Sequence, residues 1–467
     1  PILKVPVIQA DTGGFGPVDA GDMLILQSTG ITDPNGSLSF KWQRETASGS
    51  NTFVDIPGQD SISYITTIDD ADLAIRLLET HTLPNNTQDV PSNEIRVESS
   101  IPVDPTRVVG VQLLSGVLNI NGTKTGGGII YHVDSKSTAY TMPSGAFSTS
   151  VSSPGLYLIE SIGLTKLNFQ DSKTTVFELD SRSYMNDIVD VENMFASCQE
   201  FNSDLSWWDT TNVTSTAYMF RNASVFNQDI SSWNISNVTN MTQMFEDATV
   251  FNQYIGSWDT SNVTTMIRTF GYARAFDQDI STKQVTVGAN TYTAWDTSNV
   301  LEAYDMFQGA KAFNQDIGGW NMSNATNIKA MFQGASAFNQ DIGSWNTSKV
   351  VNMYYMFQGA KAFNQDVGGW NTSNVTEMSG TFKDVTVFNQ DLYSWNTSKV
   401  LYMAAMFSNA KAFNQDISSW CVNNIATKPV DFDTNTPDSF YNHPERQPQW
   451  NTCPPAVPVI TSDPVIF

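Results

Sequence analysis

Large apolar residues return at one interval along the C-terminal half of the chain. Phe201, Phe226, Phe251, Phe276, Phe313, Phe338, Phe363, Phe388 and Phe413 stand 25 residues apart, except for one step of 37. A fixed period of this length marks a stacked repeat. Each copy offers residues such as Phe226, Ile230, Trp233, Val238, Met241, Met244 and Phe245. One copy cannot bury them alone, so neighbouring copies must supply its core. At about 1.5 to 3 kcal/mol per buried side chain, six or seven per coil suffice only when coils stack. Within the unit, Phe-Asn-Gln-Asp-Ile predicts a short strand, because its ends point the same way at period two. Val-Thr-x-Met predicts a second extended or 3₁₀ stretch, and Met-Phe-x-x-Ala-x-x-Phe a tight helical corner.

The first hundred residues instead alternate over short runs broken by turn signals. Ser39-Phe40-Lys41-Trp42 and Ser61-Ile62-Ser63-Tyr64-Ile65 predict strands, and Asp33-Pro34-Asn35-Gly36 a turn. The order Trp42, Phe53-Val54-Asp55-Ile56, Tyr64, Asp70-Ala71-Asp72, Ile75-Arg76-Leu77 resembles Ig-like modules of bacterial and phage surface proteins. Such modules bury the Trp and set a Tyr and an Asp near a strand corner; the antibody-type cysteine pair is absent here. Ile101-Pro102-Val103-Asp104-Pro105 predicts a stiff linker. A second β-rich unit follows, with runs at 108–118, 128–133 and 155–159, and its segment 161–179 is expected to form the first irregular turns of the stack.

The repeat itself is similar to the unit of the BspA-like leucine-rich-repeat family of bacterial surface proteins, Phe-Asn-Gln-Asp-Ile-x-x-Trp-Asn-Thr-Ser-Asn-Val-Thr-x-Met. Residues 331–353 and 356–378 follow it almost residue for residue, and the likeness runs over about 191–454. Ser419-Trp420-Cys421-Val422 and Trp450-Asn451-Thr452-Cys453-Pro454 resemble that family's terminal cap, which implies that Cys421 and Cys453 pair. Asn451 departs from the family's usual Gly. The resemblance implies a surface or secreted protein, often an adhesin, without catalytic residues; it speaks more to fold than to function. The expected fold is mainly β: an Ig-like β-sandwich over 1–103, a β-rich connector with solenoid N-cap over 104–184, a right-handed leucine-rich-repeat-like solenoid of about nine 25-residue coils over 185–420, a cap over 421–454 and an extended tail over 455–467.

Charge and composition narrow the partners. The 467-residue chain carries a formal net charge of −23, yet only 15% of its residues are charged and 12% are aromatic. It therefore reads as a folded acidic protein rather than a disordered tail. Nucleic-acid binding is disfavoured, because clustered Lys and Arg supply affinity for phosphates; a cation or a neutral glycan is easier to accommodate. Three cysteines make no disulfide framework, although one C-terminal pair fits. No run reaches the roughly 18 consecutive apolar residues of a membrane span. The chain opens on Pro1 without a basic or apolar leader, so it reads as a processed product or a fragment.

Several columns offer candidate chemistry. The Asp of Phe-Asn-Gln-Asp-Ile recurs, with Tyr254 interrupting, and coils about 4.8 Å apart would align like charges. Ca²⁺ held between neighbours such as Asp316, Asp341, Asp366 and Asp391 would relieve the repulsion. The favoured reading is that each Asp accepts hydrogen bonds from turn amides or faces water, since Ca²⁺ needs about 6 to 8 oxygens. Asn314 and Gln315 represent columns expected to form amide ladders. The Trp column from Trp208 to Trp420 reads as core before it reads as a sugar platform. Sequons such as Asn237, Asn262 and Asn374 follow from the turn chemistry of the repeat. Asp431-Phe432-Asp433-Thr434-Asn435 lacks the Gly and final acid of a calcium loop. The long step lies between Ile280 and Trp295 and predicts a hairpin around Gly-Ala-Asn, with Val285, Thr286, Val287, Asn290 and Tyr292 as candidate ligand contacts; insertions in repeat stacks map to one face, often the binding face.

The three histidines fall in separate regions and suggest neither a catalytic triad nor a metal triad. The leading expectation is a non-enzymatic extracellular protein, at a cell or virion surface, that binds a glycan or a surface protein through one face of the stack. The alternative is a virion or filament subunit that binds copies of itself through its extended termini. A polysaccharide-active enzyme with paired carboxylates is the remaining possibility.

Overall fold

A computed structural model of the chain describes residues 7–10, 18–19, 23–28, 37–45, 53–56, 63–65, 74–83, 86–91, 95–98, 108–126, 128–132, 137–160, 164–173, 175–179, 185 and 187–454. The expected turn at 33–36, corner at 70–72, linker at 101–105 and tail at 455–467 lie outside them. Within these residues the fold is mainly β, with no closed barrel; its helix amounts to Asp438–Tyr441 and a 3₁₀ turn at Pro444–Arg446. Two compact units divide the chain. The first takes in Pro1–Leu118, Gly122–Thr165 and Val176–Asp187; the second takes in Asn119–Asn121, Lys166–Thr175 and Ile188–Phe467.

The first unit holds strands β1 (Val7–Ala10), β2 (Val18–Asp19), β3 (Met23–Ser28), β4 (Ser37–Glu45), β5 (Phe53–Asp55), β6 (Ser63–Ile65), β7 (Ala74–Leu83), β8 (Asn86–Pro91) and β9 (Ile95–Glu98). They form a sheet ordered β1-β3-β6 and a six-stranded sheet ordered β2-β9-β7-β4-β5 in which β8 also pairs with β7. Trp42 on β4 is fully buried, and its carbonyl accepts the Ile56 amide at 2.8 Å. The connector adds β10 (Val108–Ser115), β11 (Leu118–Lys124), β12 (Gly128–His132), β13 (Ser137–Met142), β14 (Gly145–Val151), β15 (Gly155–Glu160), β16 (Leu164–Asn168) and β17 (Val176–Leu179). Five of these make the sheet β13-β12-β15-β10-β17, whose buried Val109, Val111, Leu113, Leu156 and Ile159 explain the apolar runs.

In the second unit the 25-residue period becomes a stack of coils. Single-residue parallel bridges climb from Lys166 through Asp190, Ser215, Asn240, Thr265, Glu302, Asn327, Asn352 and Glu377 to Tyr402. The first rung thus comes from connector residues, where the Phe169 amide reaches the Met194 carbonyl at 2.7 Å. Bridging falls in the Val-Thr-x-Met segment, as its extended reading requires. Phe-Asn-Gln-Asp-Ile forms no strand, against expectation, because its inter-coil bonds run through side chains. Asn Oδ1 accepts the backbone amide one coil on, from Asn339 to Asn314, Asn364 to Asn339 and Asn389 to Asn364, all within 2.8–2.9 Å.

The corners are not helical either. Asp305 (φ 58°) and Gly309 (φ 69°) flank Phe307 in the left-handed region, as do Ala330 and Gly334 around Phe332, and Tyr355 and Gly359 around Phe357. These reversals split the amides between two duties. Gln308 and Ala310 bond back to Asp305 and Phe307 within the turn, while Asp305, Phe307 and Gly309 bond forward to Lys329, Met331 and Gln333 of the next coil. A continuous helix would satisfy every amide internally and leave the coils unjoined.

Side-chain stacking fills the interior. Phe307 lies 4.0 Å from Phe313 within its coil and 5.7 Å from Phe332 in the next, centroid to centroid. From Trp233 to Trp420 each Trp of the column donates Nε1 to a carbonyl of the preceding coil, as Trp345 does to Ile317 at 3.0 Å and Trp395 to Val367 at 2.9 Å. The buried Trp208 Nε1 has no hydrogen-bond partner among the described residues. The last coil is closed by Phe432 and Phe440, edge-on to Phe407 and Phe413 at 5.5 and 5.1 Å. Arg446 Nη1 ends the Asn ladder on Asn414 Oδ1 at 2.9 Å, and a disulfide joins Cys421 to Cys453. Asn451 has φ 64°, which explains why Asn can stand where the related cap carries Gly.

Candidate functional site

The twelve added residues are a hairpin. Strand β18 (Lys283–Val287) pairs with β19 (Asn290–Ala294) in the register Val285↔Tyr292 and Val287↔Asn290. Gly288, at φ 61°, opens the two-residue turn, as a type II′ loop requires. Cutting out 283–294 would leave Ile280-Ser281-Thr282-Trp295, the same Ile-x-x-Trp spacing as Ile230-Ser231-Ser232-Trp233. Trp295 accordingly rejoins its column, with Nε1 on the Ile255 carbonyl at 2.9 Å and its ring 6.0 Å from Trp320.

Four contacts hold the hairpin down. Lys283 Nζ pairs with Asp279 Oδ2 at 2.6 Å and stands 5.5 Å above the ring of Tyr254. Tyr292 Oη donates to the Ser257 carbonyl at 2.6 Å, and Thr282 Oγ1 donates to the Trp295 carbonyl at 3.0 Å. The two breaks in the repeat, the insertion and the Tyr in the Asp column, therefore meet at one place. Burial works against ionisation of Asp279, but hydrogen bonds from Lys283 and Ser281 hold its carboxyl below the usual range. Burial, then the nearby Asp259 and Tyr254, push the Tyr292 phenol up.

Between the hairpin and the coils lies a groove of about 610 Å³, lined by Ser231–Ser236, Ser257, Asp259, Val287 and Ala289–Tyr292. Of the five candidates from sequence, Val287, Asn290 and Tyr292 line it, whereas Val285 and Thr286 do not. The coil residues were missed because Ser231, Asn234, Ser257 and Asp259 occupy ordinary repeat positions. Only the overhanging hairpin distinguishes them from equivalents elsewhere.

The other candidate columns serve the stack. Asp316, Asp341, Asp366 and Asp391 each use Oδ1 to accept the amide two residues on, at 2.8–2.9 Å. Among the described residues no three His, Cys, Asp or Glu side chains gather as a metal site. The sequon residues Asn237, Asn262 and Asn374 donate Nδ2 to carbonyls of the preceding coil at 2.7–2.8 Å. Asp433 sits in the cap, bound by Lys428 at 2.7 Å and Gln447 at 2.9 Å.

A family model described as "Mycoplasma protein of unknown function, DUF285" matches residues 166–283, 283–368 and 340–440, more than half of the chain. The chain belongs to the DUF285 family. No curated protein and no solved structure matches it. The DUF285 matches begin at Lys166, the first rung of the bridge ladder, and two of them meet at Lys283, where the hairpin starts. No helix among the described residues is long and apolar enough to cross a membrane.

Proposed function

We propose that this DUF285 protein is a non-enzymatic extracellular surface or adhesion protein that binds a glycan or a protein through the groove beneath the β18–β19 hairpin. On this reading the coil stack is a right-handed, leucine-rich-repeat-like solenoid of the BspA-like kind, and residues 1–103 form an Ig-like sandwich that presents it. The parallel rungs at each period and the buried Trp42 support those assignments. The observation that carries the function is that the groove forms where the repeat departs from its pattern, and that hydroxyl and amide side chains dominate its walls. Ser, Thr and Asn beside the rings of Trp233 and Tyr292 suit a polyhydroxylated ligand. Asp259 is the one carboxylate of the lining, whereas glycoside hydrolysis calls for two.

A glycan-array and cell-binding screen with the intact chain and with a 283–294 deletion tests the reading. The intact chain is expected to bind neutral glycans and the deletion to lose that signal while keeping its circular dichroism. Silence from the intact chain, or equal binding by both, would overturn the proposal.

A further inference from the structure

A second cavity, of about 310 Å³, opens at the corners of the coils before and after the insertion. Tyr218, Gln243, Arg268, Tyr304, Asp305 and Lys329 are among its walls. It lies along a variable corner column, in which Tyr218, Gln243, Arg268, Asp305, Ala330, Tyr355, Gly380 and Ala405 hold the same place in successive coils. The guanidinium is fixed from two sides, Nε on Asp305 Oδ2 at 3.0 Å and Nη1 on Glu246 Oε1 at 3.1 Å. Both carboxylates are nearly buried, with 4% and 9% of their side-chain surface exposed, while Arg268 keeps 35%. Its Nη2 has no hydrogen-bond partner among the described residues.

Two further cations stand close by. Lys329 Nζ lies 5.8 Å from the Tyr354 ring and forms no ion pair among the described residues. The Arg221 guanidinium lies 5.3 Å over Tyr218, and its Nε is buried without a hydrogen-bond partner. Two donors at this cavity are still unpaired among the described residues, the Arg268 Nη2 and the Lys329 ammonium, and in a chain of net charge −23 they point to an anion from outside. A guanidinium held in place by two acids is pre-organised for a carboxylate, and a Tyr ring packs well on the apolar face of a sugar. The cavity has room for about one sugar ring.

We propose that this corner cavity is a binding site for a carboxylated sugar, with the carboxylate between Arg268 and Lys329 and the sugar ring against Tyr304 and Tyr218. Gln243 and Thr242 are placed to meet its hydroxyls. The site is separate from the hairpin groove and stands without it.

The test is calorimetric titration of the full chain with 3′-sialyllactose and tri-galacturonate, against lactose and tri-galactose. One or both acidic sugars should bind at least about tenfold more tightly than its neutral counterpart, and rising salt should weaken the binding. Lys329→Ala should cost roughly tenfold, Lys329→Glu should abolish binding, and Tyr304→Phe should retain it, all with unchanged melting temperature. Deleting 283–294 should leave the affinity as it was. Equal binding of neutral sugars, no binding of either acid, or a Lys329→Glu chain that binds normally would overturn the proposal. Loss of acid binding on deletion of the hairpin would do so too, by moving the ligand to the groove.

Discussion

The coils from 307 to 420 and the segment from 254 to 295 use the same template differently. In the regular coils the polar columns are taken up by the stack: Trp Nε1 by a carbonyl, Asn Oδ1 by an amide, Thr Oγ1 by a carbonyl, as Thr347 donates to Asn371 at 3.1 Å. In the interrupted segment, Tyr replaces an Asp, and a hairpin rises from the surface with Val287 60% exposed at its tip. Regularity satisfies donors and acceptors internally, so a ligand finds unused groups only where it fails. The recurring residues account for stability, and the proposed binding rests on the departures.

The largest effect that separates the two regions should come from the core. Phe338→Ala removes a ring stacked at 4.0 Å on Phe332 and at 5.9 and 6.0 Å on Phe313 and Phe363, and should cost about 3 to 5 kcal/mol in urea unfolding. Ligand binding by the variant, measured while it is still folded, should not change. Asn364→Ala comes next. Its Oδ1 accepts both the Asn389 amide and Gln390 Nε2, so the variant strands the Asn389 amide, leaves Gln390 Nε2 only its bond to the Asn364 carbonyl, and should lose about 1 to 3 kcal/mol. A loss within experimental error would show that water can replace the ladder, and would weaken the contrast.

Changes in the interrupted segment should invert this order. Tyr292→Phe deletes the bond to Ser257 and should cost only about 0.5 to 1.5 kcal/mol, yet loosen the groove enough to reduce binding. The smallest effect concerns pH. Because the Asp279 carboxyl is held below the usual range, the folded state takes up protons less readily than the unfolded one. Its stabilising contribution is complete above the unfolded carboxylate pKa and disappears as pH falls through the folded one. Asp279→Asn should therefore make thermal unfolding less sensitive to acid, a change read from melting temperatures between neutral pH and about pH 3.

Much of this was legible in the sequence because stacking imposes columns, and columns are visible as spacing. Phe313 and Phe338 announce their partnership by standing 25 residues apart. The corners were not legible. One left-handed position carries Ala330 and Tyr355, residues with no preference for that conformation; the hint lay at the other, where Asn222, Asp247, Gly309, Gly334, Gly359, Asp384 and Asn409 stand, yet the run read as a helix. The neighbours therefore enforce the geometry, through amides that bond to the next coil. The candidate site was half legible. The insertion exposed Val287, Asn290 and Tyr292, but Ser257 and Asp259 look like any other coil until the hairpin covers them. Arg268 was invisible for a related reason: its partners Glu246 and Asp305 lie in different coils, and only the register of the stack brings them together.

The division of labour between repeat and interruption can be tested by two excisions in the full chain. Deleting 339–363 removes one whole regular period and joins Phe338 to Asn364 in register, while deleting 283–294 removes the hairpin and restores the period. Binding to the neutral glycans of an array is the measurement. The coil-deleted chain should bind within about twofold of the intact protein and the hairpin-deleted chain should not bind. Binding that survives loss of the hairpin but vanishes with the regular coil would contradict the account.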